Sequence, residues 1–205
     1  IWSLLYDQQW TWSQRQLTTT EETKIIAATF IPQKDKERLF TLERDSANTG
    51  GMIREWILQA GTWVASSEVA IPLDYLPNCF DFLPNLEYPS IVIGHDDGLQ
   101  VLHLADATSP VFETSTQKEK IECISISENS NRIVTASGSS LSLWSISDKQ
   151  TLRFLKTWPK QSANILSVDI SNDGHRLITG GDDFIPKLWE VDRKRTRLNS
   201  SHANI

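Results

Sequence analysis

Four histidines, His95, His103, His175 and His202, and two cysteines, Cys79 and Cys123, are the side chains of this sequence with the widest chemical repertoire. His95-Asp96-Asp97 with His103 is the one grouping that could bind a metal or trade protons, provided its side chains converge on one point. Asp96-Asp97-Gly98 reads more simply as a tight turn, because aspartate bonds its own backbone and glycine accepts unusual φ. The cysteines lack C-x-x-C spacing, so they read as reduced thiols rather than a disulfide or zinc site, which suits a cytoplasmic setting. A nucleophile elbow, Gly-x-Ser-x-Gly, is missing, and Ser137-Gly138-Ser139-Ser140 reads as a strand-to-strand turn. Thr179-Gly180-Gly181-Asp182-Asp183 has no following Lys-Ser/Thr, and its aspartates would repel a phosphate. Thr49-Gly50-Gly51 likewise reads as a loop. No catalytic, cofactor-binding or metal-ligating residue is therefore assigned, and neither an enzyme nor a cofactor is expected.

The elements that carry these residues repeat. Residues 165 to 191, ILSVDISNDGHRLITGGDDFIPKLWEV, match residues 121 to 146, IECISISENSNRIVTASGSSLSLWSI, segment by segment. Each runs through an alternating strand, a polar turn, an apolar strand, a Gly/Ser/Asp turn and a strand closing on tryptophan. SIVIGHDDGLQVLHL at 90 to 104 and GGMIREWIL at 50 to 58 continue the series, and Ile1-Trp2-Ser3-Leu4-Leu5 reads as the end of another copy. The markers Trp2, Trp56, Leu102, Trp144 and Trp189 recur with a period of about 45 residues, which fits units of four short strands. Units are expected near 1–20, 21–70, 71–117, 118–160 and 161–192.

Within a unit, Ile165, Ser167, Asp169 and Ser171 should face one way and Leu166, Val168 and Ile170 the other. Asp148-Lys149 should turn the chain into a fourth strand, Thr151 to Thr157, whose Arg153 and Lys156 blunt an outer edge. Pro72, Pro77, Pro84 and Pro89 mark residues 70 to 90 as loops around one short strand, Asn78 to Leu83. Pro186 requires a bulge or a strand start.

A 39% hydrophobic content can supply a core for a chain of 205 residues, and the eight tryptophans need one. Trp144→Ala or Trp189→Ala should each cost about 3–5 kcal/mol. No apolar run approaches the roughly 18 residues of a membrane span, and no leader pattern is seen, so no membrane partner is expected. The first residues read as a truncated start. The net charge of −6 argues against nucleic acid and for a basic partner. Arg193, Lys194, Arg195 and Arg197 concentrate positive charge in the last thirteen residues, which read as a non-native or disordered tail, 193–205, leaving residues 1–192 more acidic still.

At these residues the chain resembles the WD-repeat family. Leu188-Trp189-Glu190-Val191 stands where the family has its Trp-Asp dipeptide, and Asp183 and Asp97 fall on its acidic turn position. The resemblance implies an all-β propeller of four-stranded antiparallel blades, about four with a remnant, forming an incomplete ring over residues 1–192. It also implies a protein-interaction scaffold that binds a protein or peptide through its loops, with Asp96 and Asp182 as the binding residues. An enzymatic propeller of the quinone-dependent dehydrogenase or hydrolase type is the alternative. It would need acids, histidines or tryptophans gathered near an axis, and the spare indoles, Trp10, Trp12, Trp63 and Trp158, share no phase. The family's Gly-His pair is replaced by Lys160-Gln161 before Ile165, its Ser/Thr position by Gly181, and its turn acid by Gly138-Ser139. No unit is then expected to complete the family's hydrogen-bond network, and the blades should hold together by packing.

Overall fold

The computed structural model describes residues 2–7, 9–14, 23–33, 36–83, 90–103, 110–113, 118–127, 129, 131–147 and 152–191. They belong to two compact units, Ile1–Leu76 and Pro77–Ile205, and every regular element among them is a β-strand. The 193–205 tail, His202, the Asp148-Lys149 turn, Pro84 and Pro89 lie outside the described residues, as do the side chains of Trp2, Trp10, Trp12 and His103.

The first unit contains a hairpin, β1 (Trp2–Asp7) and β2 (Gln9–Gln14), and a four-stranded antiparallel sheet. That sheet runs in chain order through β3 (Thr23–Gln33), β4 (Lys36–Asp45), β5 (Gly51–Gln59) and β6 (Thr62–Leu73). Ala60 and Gly61, at φ 48° and 79°, make the two-residue turn whose left-handed backbone matches the twist of the flanking strands. Pro72 lies inside β6 opposite Met52, so residues 70 to 73 are strand and not the loop their prolines suggested. β6 is an outer strand, where a missing N–H breaks no ladder.

The second unit stacks three antiparallel sheets, each strand pairing with the next in the chain. The first comprises β7 (Pro77–Leu83), β8 (Ser90–His95), β9 (Gly98–His103) and β10 (Pro110–Glu113). β11 (Cys123–Ile126), β12 (Arg132–Ser137), β13 (Ser140–Ile146) and β14 (Leu152–Thr157) form the second, and β15 (Ile165–Ile170), β16 (Arg176–Gly181) and β17 (Lys187–Glu190) the third. Pro186 stands just ahead of β17, where its missing donor costs nothing. Arg153, Phe154 and Leu155 of the outer strand β14 are exposed.

Apolar residues join the sheets in a repeating pattern. Val92, Leu99 and Val101 pack against Ile121, Ile126, Ile133 and Trp144. One period later Val134, Leu141 and Leu143 pack against Ile165, Ile170, Leu177 and Trp189. A buried indole removes about 200 Å² from water, worth at most roughly 5 kcal/mol. The first strands are also stapled: Ile126 donates its N–H to the Asp81 carboxylate at 2.8 Å, and Ile170 donates to Ser125 Oγ at 3.1 Å. Strand β15 departs from simple alternation, because a bulge between Ile165 and Ser167 turns Ile165 into the same core as Val168 and Ile170. Leu166 is left 65% exposed.

The reading of Gly181 as the Ser/Thr position is corrected, because three tryptophans each find a threonine acceptor. Trp144 Nε1 donates to Thr135 Oγ1 at 3.2 Å, Trp189 Nε1 to Thr179 Oγ1 at 3.1 Å, and Trp56 Nε1 to Thr41 Oγ1 at 2.9 Å. The acceptor lies on the second strand, two residues past the one directly opposite the tryptophan: Ile133, Leu177 and Leu39 are those opposite residues. It is therefore Thr179, a diagonal cross-strand neighbour, and not Gly181 beside the turn. Leu102 faces Ile91 in the same way, and Ile93 stands at the acceptor position. Donor and acceptor have changed to apolar residues together, so neither is stranded without a partner.

In the first unit the network goes further. Thr41 donates onward to Glu43 Oε1 at 2.8 Å, Thr23 donates to Glu43 Oε2 at 2.8 Å, and Arg54 Nε lies 3.3 Å from Oε1. Glu43 is fully buried, and a carboxylate survives there only with such a set of donors.

Candidate functional site

One end of the second unit collects the residues that the sequence singled out. The β8–β9 turn carries Asp96 and Asp97, the β12–β13 turn Gly138 and Ser139, and the β16–β17 turn residues 182–186. The segments leading into the first strands arrive at the same end: Ile121 donates its N–H to His95 O at 2.9 Å, and Ile165 donates to Gly138 O at 2.8 Å.

Asp96 and Asp182 occupy equivalent places. Asn78 Nδ2 donates to Asp96 Oδ1 at 2.9 Å, and Asn164 Nδ2 donates to Asp182 Oδ2 at 3.0 Å, across the same sequence interval of 18. Asn164 also gives its backbone N–H to Asp182 Oδ1 at 3.0 Å and receives the Asp182 N–H on its carbonyl at 3.0 Å. Both aspartates are exposed, yet each is held in one orientation. Lys120, where the intermediate repeat would place its asparagine, lies 4.0 Å from Asp96. The two asparagines went unremarked in the sequence, although each stands at the start of a first strand, Asn78 as the second residue of β7 and Asn164 just ahead of β15.

The remaining polar residues are occupied by turn geometry. Asp97 donates its N–H to His95 Nδ1 at 3.2 Å, which gives that ring a structural task. Asp183 accepts from Lys187 Nζ at 2.6 Å and from the Ile185 N–H at 3.2 Å. The lysine bond, followed by the backbone bond, holds its carboxyl below the usual 3.8. Burial pushes the Cys79 thiol up to about 12 and raises that of Cys123 as well, and neutral thiols are poor nucleophiles. They donate to Ile121 O at 3.9 Å and Leu166 O at 3.0 Å, again between neighbouring sheets. Among the described residues no group of three or more His, Cys, Asp or Glu could hold a metal ion.

Trp144, Trp189, Trp56 and Leu102 are core residues, each at most 5% exposed. The β16–β17 turn adds what the sequence reading passed over: Phe184 is 94% exposed, at φ 59°, and Ile185 is 58% exposed. Left-handed φ on a bulky residue is uncommon and costly. The arrangement as a whole offers rigid, mostly acidic turns and an exposed aromatic ring, which suit recognition.

No curated protein matches this chain. The family described as WD domain, G-beta repeat matches residues 108–145 and 152–190. Each match begins at or beside the outer strand of one sheet and ends with the Trp-bearing strand of the next, so the sequence repeat straddles two blades. Two such repeats, laid over sheets built on one register and one Trp–Thr bond, mark residues 108–145 and 152–190 as WD40 repeats.

Proposed function

We propose that this protein is a non-catalytic interaction scaffold that captures a basic peptide or protein segment on the turn end of the β7–β17 sheets. WD40 repeats are generally protein-interaction modules, and the two matched here, residues 108–145 and 152–190, support that kind of role. The observation that carries the finer reading is the pair of exposed carboxylates, Asp96 and Asp182, each fixed by an asparagine of its own sheet. A fixed anion loses little freedom when a cation docks. The chain's net charge of −6 would draw a basic partner in and make the association sensitive to salt.

Selection of a displayed peptide library on the immobilised chain, followed by calorimetry of the enriched peptides, tests this. Enriched sequences should be basic, and Asp96→Lys with Asp182→Lys should weaken them by at least about tenfold. A library that yields no binder, or binders indifferent to both reversals, overturns the proposal.

A further inference from the structure

The β16–β17 turn differs from its two counterparts. The β8–β9 and β12–β13 turns join paired strand ends through Asp96-Asp97 and Gly138-Ser139, whereas residues 182–186 separate β16 from β17. Its backbone is tightly fixed. Phe184 donates its N–H to Gly181 O at 3.2 Å and Asp182 donates to Asn164 O at 3.0 Å. A Cβ at Gly181 would lie 2.6 Å from that same Asn164 oxygen. Phe184 meanwhile contributes no burial to the fold and adopts a conformation that L side chains rarely take. Among the described residues nothing covers this ring, and it is held strained and open where a ligand can meet it.

The charges beside it identify the ligand chemistry. Asp183 is compensated by Lys187, and Asp96 has Lys120 nearby. Asp182 is held by the neutral donors of Asn164, and among the described residues no cation pairs with it, two residues from an open ring. Each of its oxygens keeps lone-pair capacity for a further donor. A guanidinium satisfies both features, since its plane stacks on an aromatic face while its fork of N–H groups meets a carboxylate. Extending the scaffold reading above, and resting on it, we propose that Phe184 and Asp182 read an arginine in an extended partner segment, with Ile185 covering the apolar residue beside it.

Fluorescence polarisation with the full chain tests this. The probe is a labelled peptide of alternating arginine and leucine, with the same peptide carrying citrulline for arginine as control. The arginine peptide should bind saturably and the citrulline peptide at least about tenfold more weakly. Phe184→Asn, which suits left-handed φ, should raise the melting midpoint yet lower affinity by a similar factor, while Phe184→Tyr keeps it. Asp182→Asn should weaken binding and flatten its salt dependence. Equal affinity of wild type and Phe184→Asn, equal affinity for the citrulline peptide, or no saturable binding overturns the proposal. The scaffold reading survives any of these if library peptides still bind and are weakened by the Asp96→Lys and Asp182→Lys reversals, and falls if they do not.

Discussion

Thr135→Val removes one oxygen from the core and leaves the shape almost unchanged, so its cost isolates the hydrogen bond it breaks. Trp144 is 2% exposed and Thr135 1%, and the indole N–H would have neither its acceptor nor water. An unsatisfied buried donor costs about 1–3 kcal/mol, which at this chain length lowers the melting midpoint by about 2–4 °C per kcal/mol. Trp144→Leu copies Leu102 and removes the donor, at a larger cost of about 2–5 kcal/mol for the lost volume. In that background Thr135→Val should cost nearly nothing, because the hydroxyl no longer serves the indole; this is the state of Ile93 beside Leu102. The coupling between the two sites should be about 1–2 kcal/mol. Urea unfolding of the four proteins, followed by far-UV circular dichroism, measures it. If Thr135→Val costs the same with tryptophan and with leucine at 144, the bond contributes nothing and the paired replacement needs another cause.

Three further outcomes are expected. Gly94→Ala should destabilise by about 1–3 kcal/mol, since its Cβ would lie 2.6 Å from both Cys79 Sγ and Ile121 Cγ2. Gly180→Ala, which meets only Ser167 Oγ at 3.0 Å, should cost distinctly less in the same urea titration. Ala60→Asn should stabilise by about 0.5 kcal/mol, because asparagine tolerates the left-handed first position of a two-residue hairpin better than alanine; an unchanged or lower midpoint would contradict it. Asp45, Asp173 and Asp183 are all held below the usual 3.8, chiefly by Thr49, Ser171 and Lys187. Depressed carboxyls stabilise the fold above the unfolded value and lose that contribution as pH falls through the folded values. Melting midpoints should therefore drop below about pH 4, and the triple asparagine variant should show a shallower drop.

Much of this architecture was legible because strand chemistry is local. Alternation in 121 to 127, the Asn172-Asp173-Gly174 turn and the recurring tryptophans are each visible within a few residues. What escaped depends on register. Thr135 and Thr179 become acceptors only once Ile133 is known to face Trp144 and Leu177 to face Trp189, so counting from the turn pointed to Gly181 instead. The bulge after Ile165 was hidden because ILSVDI alternates equally well on either face. Pro72 looked like a breaker until β6 was placed at the edge of its sheet. For the site, the acids could be named but their fixing could not, since Asn78 and Asn164 act across 18 residues. The exposure and backbone of Phe184 left no trace in the sequence around it.

The two ends of the second unit are tied in different ways, and this bears on where a partner can be accommodated. Away from the β16–β17 turn, side chains join neighbouring sheets: Arg132 donates to Gly174 O at 2.8 Å, Ser127 Oγ to Asn172 O at 2.7 Å, and Lys156 Nζ to Val191 O. Substituting those residues therefore loosens the stack. At the end bearing Asp96, Asp182 and Phe184, bonds from main chain to main chain, through His95 O and Gly138 O, join the sheets beside the exposed Lys120–Asp96 pair. Such bonds persist whatever side chain the turn displays. Asp182 and Phe184 are thereby left out of holding the sheets together, and an exposed aromatic beside an acid that no described cation pairs can be kept for recognition at the cost of local strain alone.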